Sequence, residues 1–176
     1  MTRQHTGMVI GDWQWAYLHL VSSSAVETST GFVLRKYGEI DFRSMAVFVK
    51  TAHSGKTLDV GLLSSETGGD ANGFIAGLSL ATTGWIWPTA TLSQGTNAHY
   101  ISAYTWGVLF LPAACLGANT AEKNAVPLFQ NHHGDGVAKT VTYTTSSATT
   151  TFEGWLCFQY RTRPDPSLDN FQWPTA

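Results

Sequence analysis

The stretch that decides the fold runs from Lys56 to Trp85 and reads KTLDVGLLSSETGGDANGFIAGLSLATTGW. Leu58, Val60 and Leu62 alternate with Asp59 and Gly61, so one face is apolar and the period is that of a half-buried strand. The strand then stops. Ser64, Ser65, Thr67, Gly68, Gly69, Asp70, Asn72 and Gly73 form a run of turn residues: glycine loses the most backbone entropy on ordering, and Asn and Asp prefer to bond their own backbone. Phe74, Ile75, Leu78 and Leu80 follow at once. This predicts a compact loop at one end of a β-structure that carries its own apolar plug back to the core.

On the N-terminal side, Ser44 to Lys50 has Met45, Val47 and Val49 opposite Ala46 and Phe48, the pattern of a buried strand. The short linker Ala52 to Gly55 predicts a hairpin between it and Thr57 to Leu63. Further back, Gly31 to Tyr37 and Glu39 to Phe42 read as short strands around Gly38, after a polar break at Ser22 to Thr30. Trp13 to Val21 sets Trp13, Trp15, Tyr17, His19 and Val21 on one face and Ala16, Leu18 and Leu20 on the other. Bulk on both faces predicts a strand covered on two sides.

On the C-terminal side come Trp85, Trp87 and Pro88, then a second polar break at Thr91 to Asn97. Tyr100 to Leu111 is the longest apolar run. Ala121 to Asn124 suits one helical turn, and Val126 to Gln130 a small strand that Pro127 confines to a sheet edge. Lys139 to Thr145 and Thr151 to Arg163 both alternate and predict an antiparallel pair. Pro164 and Pro166 end the second of these, because proline removes a ladder donor. Beyond them there is no periodicity, yet Phe171 and Trp173 remain, which predicts an arm that docks on a surface. The expected architecture is all-β: one antiparallel sandwich over residues 13–163, of jelly-roll type with long loops, preceded by segment 1–12 and followed by an extended C-terminal arm, 164–176.

Composition narrows the function classes. At 176 residues a single domain buries roughly 70% of its unfolded surface and needs no staple. Charged residues are 12% against 43% hydrophobic, with a net charge of −2. That balance argues against disorder and supplies no clustered cations for nucleic acid or an anionic bilayer. No stretch approaches the roughly 20 apolar residues of a spanning helix, and the N-terminus lacks a signal-type apolar region. Synthesis in a cytoplasm is therefore expected, with Cys115 and Cys157 as free thiols rather than a disulfide.

Residues able to do chemistry are few. Glu66 and Asp70 could flank a glycosidic bond as acid and base, but both lie in one glycine-rich loop, where turn chemistry explains them better. His132, His133 and Asp135 suit a transition metal by type, yet adjacent histidines on extended chain point apart. Asp70 to Gly73 has part of a calcium loop without its closing glutamate, since Ala76 and Ala81 stand where one would be needed. Gly68-Gly69 is too short for a phosphate cradle. Hence no catalytic, cofactor or metal site is expected. The seven tryptophans open a carbohydrate-binding alternative, in which Trp85, Trp87 and Trp173, near breaks or in the tail, would stack on sugar faces.

The stretch from Leu58 to Gly84, LDVGLLSSETGGDANGFIAGLSLATTG, resembles a segment of small structural proteins of tailed-bacteriophage particles. The strand pair after Val141, VTYTTSS and the aromatic strand beyond it, is similar to the end of the same kind of protein. At the level of pattern the likeness covers Ser44 to Arg163. It implies a virion component, a decoration or cement protein on the outer surface of the head that ties neighbouring major capsid subunits together, acting as a homotrimer. A tail or head-fibre position is the other address it implies. Partner contacts are expected at Phe171, Trp173, Trp85 and Trp87, because aromatic anchors carry much of the energy of such interfaces.

Overall fold

The computed structural model describes residues 12–88, 90–94, 99–104, 128–130, 137–146 and 151–162, and every regular element among them is a strand. In chain order these are β1 (Gln14–Val21), β2 (Thr28–Leu34), β3 (Gly38–Thr51), β4 (Thr57–Leu62), β5 (Ile75–Ser79), β6 (Gly84–Ile86), β7 (Ala90–Gln94), β8 (His99–Tyr104), β9 (Leu128–Gln130), β10 (Lys139–Thr145) and β11 (Glu153–Thr162). Two antiparallel sheets make a sandwich-like body. The first has the order β1-β11-β3-β6, with β9 also on β3; the second has the order β2-β10-β4-β5. Strands β7 and β8 pair with each other.

The period-2 pattern of each strand sends one set of side chains between the sheets. From the first sheet come Ala16, Leu20, Ile40, Met45, Val47, Val49, Leu156 and Phe158; from the second come Leu34, Leu58, Val60, Leu62, Ile75, Leu78, Val141 and Tyr143. Each Leu, Val, Ile or Phe so buried is worth roughly 1.5–3 kcal/mol relative to exposure. The all-β sandwich expected from the sequence is what forms.

Two expected pairings do not form. Strands β3 and β4, expected as a hairpin, lie in different sheets: β3 pairs with β11, β6 and β9, and β4 with β10 and β5. Likewise β10 and β11 are not partners, β10 lying between β2 and β4 and β11 between β1 and β3. The reason is the same in both cases. Val47 and Val49 of β3 line the core from the first sheet and Leu58 and Val60 of β4 from the second, as Leu156 and Phe158 of β11 do from the first and Tyr143 of β10 from the second, so each connection crosses the sandwich instead of turning within one sheet. Alternation shows which way a side chain points; it does not choose the sheet. The polar break expected at Thr91 to Asn97 also contains a strand, β7, held in place by β8.

Glu39–Phe42 and Ser44–Lys50, read as separate strands, are one 14-residue strand, β3. Its register against β11 shifts between Cys157 and Gln159. Ser44 closes the irregularity: its Oγ donates to the Asp41 carbonyl at 2.6 Å and accepts the Gln159 N–H at 2.6 Å. A hydroxyl thus replaces the missing ladder bond.

The glycine-rich loop after β4 is tied down along its length. The Glu66 carboxylate accepts the Thr140 N–H at 2.9 Å and the Thr140 hydroxyl at 2.8 Å. Lys139, itself buried, donates from Nζ to the Thr67 carbonyl at 2.7 Å. Glu27 accepts the Ser64 N–H and hydroxyl at 2.9 and 2.6 Å and the Thr142 hydroxyl at 2.9 Å. Leu62 N–H to Asp70 C=O and Phe74 N–H to Val60 C=O, at 2.8 and 2.9 Å, close the loop onto its own strand. Gly61 is required here, since a β-carbon at that position would overlap the backbone of Asp70 and Ala71.

Where the chain passes from β1 to β2, Ser24 and Ala25 take the left-handed conformation, φ 51° and 64°. That strain is held by a reciprocal pair. The Ser23 N–H donates to Thr145 Oγ1 at 3.0 Å and the Thr145 N–H to Ser23 Oγ at 2.7 Å, both buried. Side-chain oxygens here stand in for a strand ladder between the two sheets.

Candidate interaction surface

The outer face of the first sheet follows from its register. With Leu20, Leu156 and Val47 inward, Trp15, Tyr17 and His19 of β1 point outward beside Gln159, Cys157 and Trp155 of β11. Trp155 and Cys157 in turn neighbour Phe48 and Ala46 of β3, and Phe48 neighbours Trp85 of β6. Four strands therefore present one row of His19, Trp155, Phe48 and Trp85, and a second row of Tyr17, Cys157 and Ala46.

Large rings stand up at both sides of this face. On β1, Trp15 and Tyr17 stack with centroids 6.0 Å apart and planes 24° apart; at the other side, Trp85 and Trp87 stack at 6.3 Å and 29°. All four are half-exposed or more: Trp15 49%, Tyr17 62%, Trp85 50% and Trp87 55%. Between them the floor drops to Ala46, Cys157 and Ser44, leaving a depression of about 290 Å³ lined by these residues and the four rings. A second hollow of about 230 Å³ shares Tyr17, Trp85 and Cys157 and is bounded by Phe48 and Trp155. Together they make a groove with aromatic walls, a small-residue floor and a ledge of Trp155 and Phe48, whose rings lie 6.0 Å apart.

Charge collects beyond the ledge. Glu153 accepts from Lys50 Nζ at 2.9 Å and lies 3.3 Å from His19 Nε2, while Lys50 also sits 5.9 Å from the Trp155 ring centre. The hydrogen bond from Lys50, then that from His19, holds the Glu153 carboxyl below its ordinary range. On the floor, burial pushes the Cys157 thiol up to about 11, so it stays protonated at neutral pH. Cys157 is a free thiol.

The sequence-derived site residues divide as follows. Trp85 and Trp87 are exposed and adjacent, whereas Phe171 and Trp173 of the C-terminal arm lie outside the described residues, as do Cys115, His132, His133 and Asp135. Glu66 and Asp70 are not presented as a pair to solvent. Glu66 is spent on Thr140, and Asp70 accepts the N–H of Asn72 in a local turn at 3.2 Å. Among the described residues no cluster of three or more His, Cys, Asp or Glu is placed to hold a metal ion.

Trp15 and Tyr17 were missed. The expectation that β1 is covered on both sides does not hold, because Ala16 and Leu20 face the core while Trp15, Tyr17 and Val21 are open. The clue was present in the sequence: the larger rings occupy the parity opposite the aliphatic residues, and a thin sandwich has room for only one such set. No protein-family model, no curated protein and no solved structure matches this chain.

Proposed function

We propose that this chain is a non-enzymatic structural component of a tailed-bacteriophage particle, of the capsid decoration or cement type. It binds major capsid protein on the outer surface of the head as a homotrimer and stabilises contacts between neighbouring capsid subunits. The observation that carries this reading is the exposed aromatic face of the first sheet, since a domain working alone in water rarely keeps so many large rings contiguous and open. Such rings are the residue types that anchor protein contacts. The segment that resembles phage structural proteins forms β4, β5 and the clamped loop between them, a scaffold whose acidic side chains are committed to internal bonds.

Strand order supports a jelly roll. The eight strands of the two main paths change sheet at every step except from β4 to β5, the kind of connectivity that two Greek keys produce. A closed trimer would repeat each weak contact with the head and raise avidity beyond any single site. The test is to add purified protein to preformed heads that lack it. The expected result is co-sedimentation and a higher thermal transition of the heads; a protein that neither sediments with heads nor shifts their melting would overturn the reading.

A carbohydrate-binding module is the second reading, free-standing or on a fibre of the particle. The specific observation in its favour is the arrangement of the rings as two stacked pairs flanking a lowered floor.

A further inference from the structure

We propose that the C-terminal arm, residues 163–176, folds back onto its own domain and seals one end of the sandwich, with Phe171 as the side chain that enters it. The inference goes beyond the reading above and leaves the aromatic outer face to its partners. At the end where β1 begins and β11 ends, a hollow of about 450 Å³ lies between these two strands of the first sheet and β2, the edge strand of the second. Asp12, Gln14, Phe32, Leu34, Tyr160 and Thr162 are among its lining residues. Gln14 and Tyr160 pair two positions beyond the core residues Ala16 and Phe158, so the hollow continues the core between the sheets.

The rings bordering it are only partly covered. Phe32 and Tyr160 pack against the core, yet neither is fully buried. Phe32 meets Phe158 and Tyr160 edge-on, with centroids 5.2 and 4.8 Å away and planes 90° and 77° apart. Protein interiors are filled to crystal density, and one more aromatic side chain would extend this edge-to-face cluster and complete its contacts.

Position, reach and chemistry select the arm. Thr162, the last residue of β11, itself lines the hollow, so the arm starts at its rim. Phe171 follows nine residues later, up to about 30 Å of extended chain, enough to go out and return. Pro164, Asp165, Pro166 and Ser167 are residues that end a strand and favour a turn. Beyond them Leu168, Phe171 and Trp173 supply apolar bulk. Charge agrees: past Arg163 the arm carries Asp165 and Asp169 and no cation, while the lining has Arg35 and Arg161 against one carboxylate, Asp12. The other segment adjoining the hollow, residues 1–11, has Arg3 and no Phe, Tyr or Trp. A tether at the rim also keeps the arm at an effective concentration on the order of millimolar, which favours its own hollow over that of a second copy.

Two measurements on the full-length chain test this. With benzoylphenylalanine in place of Phe171, irradiation should give a cross-link within one chain, at monomer mass on a denaturing gel and mapped to β1, β2 or the end of β11. In urea unfolding, Phe171→Ala should raise the unfolding constant about tenfold, as loss of a buried ring does; an exposed ring would change it about twofold at most. A cross-linked dimer would give the arm to a neighbouring copy and overturn the inference, as would a cross-link mapped elsewhere or none at all. A rise of less than about fivefold also overturns it, whereas failure of Phe171→Ala to fold counts as a loss beyond the expected one. Neither measurement uses heads, so failure here leaves the head-attachment reading standing, and failure of that reading leaves this one.

Discussion

Outside the first sheet, Trp15, Tyr17, Trp85 and Trp87 stand half-exposed. Outside the second, Thr140 and Thr142 are bonded to Glu66 and Glu27, which also hold the glycine-rich loop in place. Both faces belong to sheets with the same kind of apolar inner surface, so the difference cannot come from folding the core. The threonine face is closed upon itself: its hydroxyls and carboxylates have found partners within the chain, and what they stabilise is the loop. The aromatic face has large surfaces whose hydrophobic contribution is unused. One face is therefore architecture, and the other is available for contact.

The sharpest way to break this comparison is at the architectural face. Gly61→Ala should produce the largest loss, several kcal/mol, because the added carbon meets backbone of Asp70 and Ala71, which cannot swing aside as a side chain would. Urea unfolding measures it; a midpoint equal to wild type would mean that the loop is not held as described. Next comes Ser23→Ala, which leaves the buried Thr145 N–H without its acceptor. A loss of about 1–3 kcal/mol is expected in the same assay.

A third test uses pH. Burial, the largest single influence on Glu27, raises its pKa, but the hydrogen bonds from the Ser64 hydroxyl, the Ser64 N–H and the Thr142 hydroxyl together outweigh it and leave it below its ordinary 4.5. A folded-state pKa below the unfolded one gives stability that is present above the unfolded value and lost as pH falls through the folded value. Wild type should therefore lose stability on acidification below 4.5, and Glu27→Gln should flatten that part of the profile. Equal slopes in the two proteins would show that the loop clamp is not linked to this carboxylate.

The smallest effect is expected on the aromatic face. Trp87→Ala removes a half-exposed ring and should change unfolding stability by no more than about 0.5 kcal/mol. A loss like that of Gly61→Ala would place Trp87 among the supports of the fold and erase the distinction between the faces.

How much of this could be read in the residues depends on what each pattern encodes. Leu58, Val60 and Leu62 specify a strand and its inner face because their period is two, and the halt at Ser64 to Gly73 specifies a loop because those residues disfavour a ladder. The partners of β4 were not legible. Choosing between β3 and β10 depends on whether Ala52 to Lys56 turns or crosses, and His53 settles it by donating its N–H to Leu80 at 2.8 Å, a contact between residues far apart in sequence. The same holds for the candidate site. Trp85 and Trp87 were legible because Pro88 follows them at a break; Trp15 was hidden in a strand with bulk on both faces. The tasks of Glu66 and Glu27 were also hidden, since each depends on threonines more than 70 positions away.

Cys157 lies on the floor of the groove between the two pairs of rings. Because the thiol stays protonated at neutral pH, it resists the alkylation and oxidation that act on thiolates. Made alkaline, the same sulfur becomes a gauge: its rate of labelling falls whenever the space above it is occupied, whether by sugar or by protein.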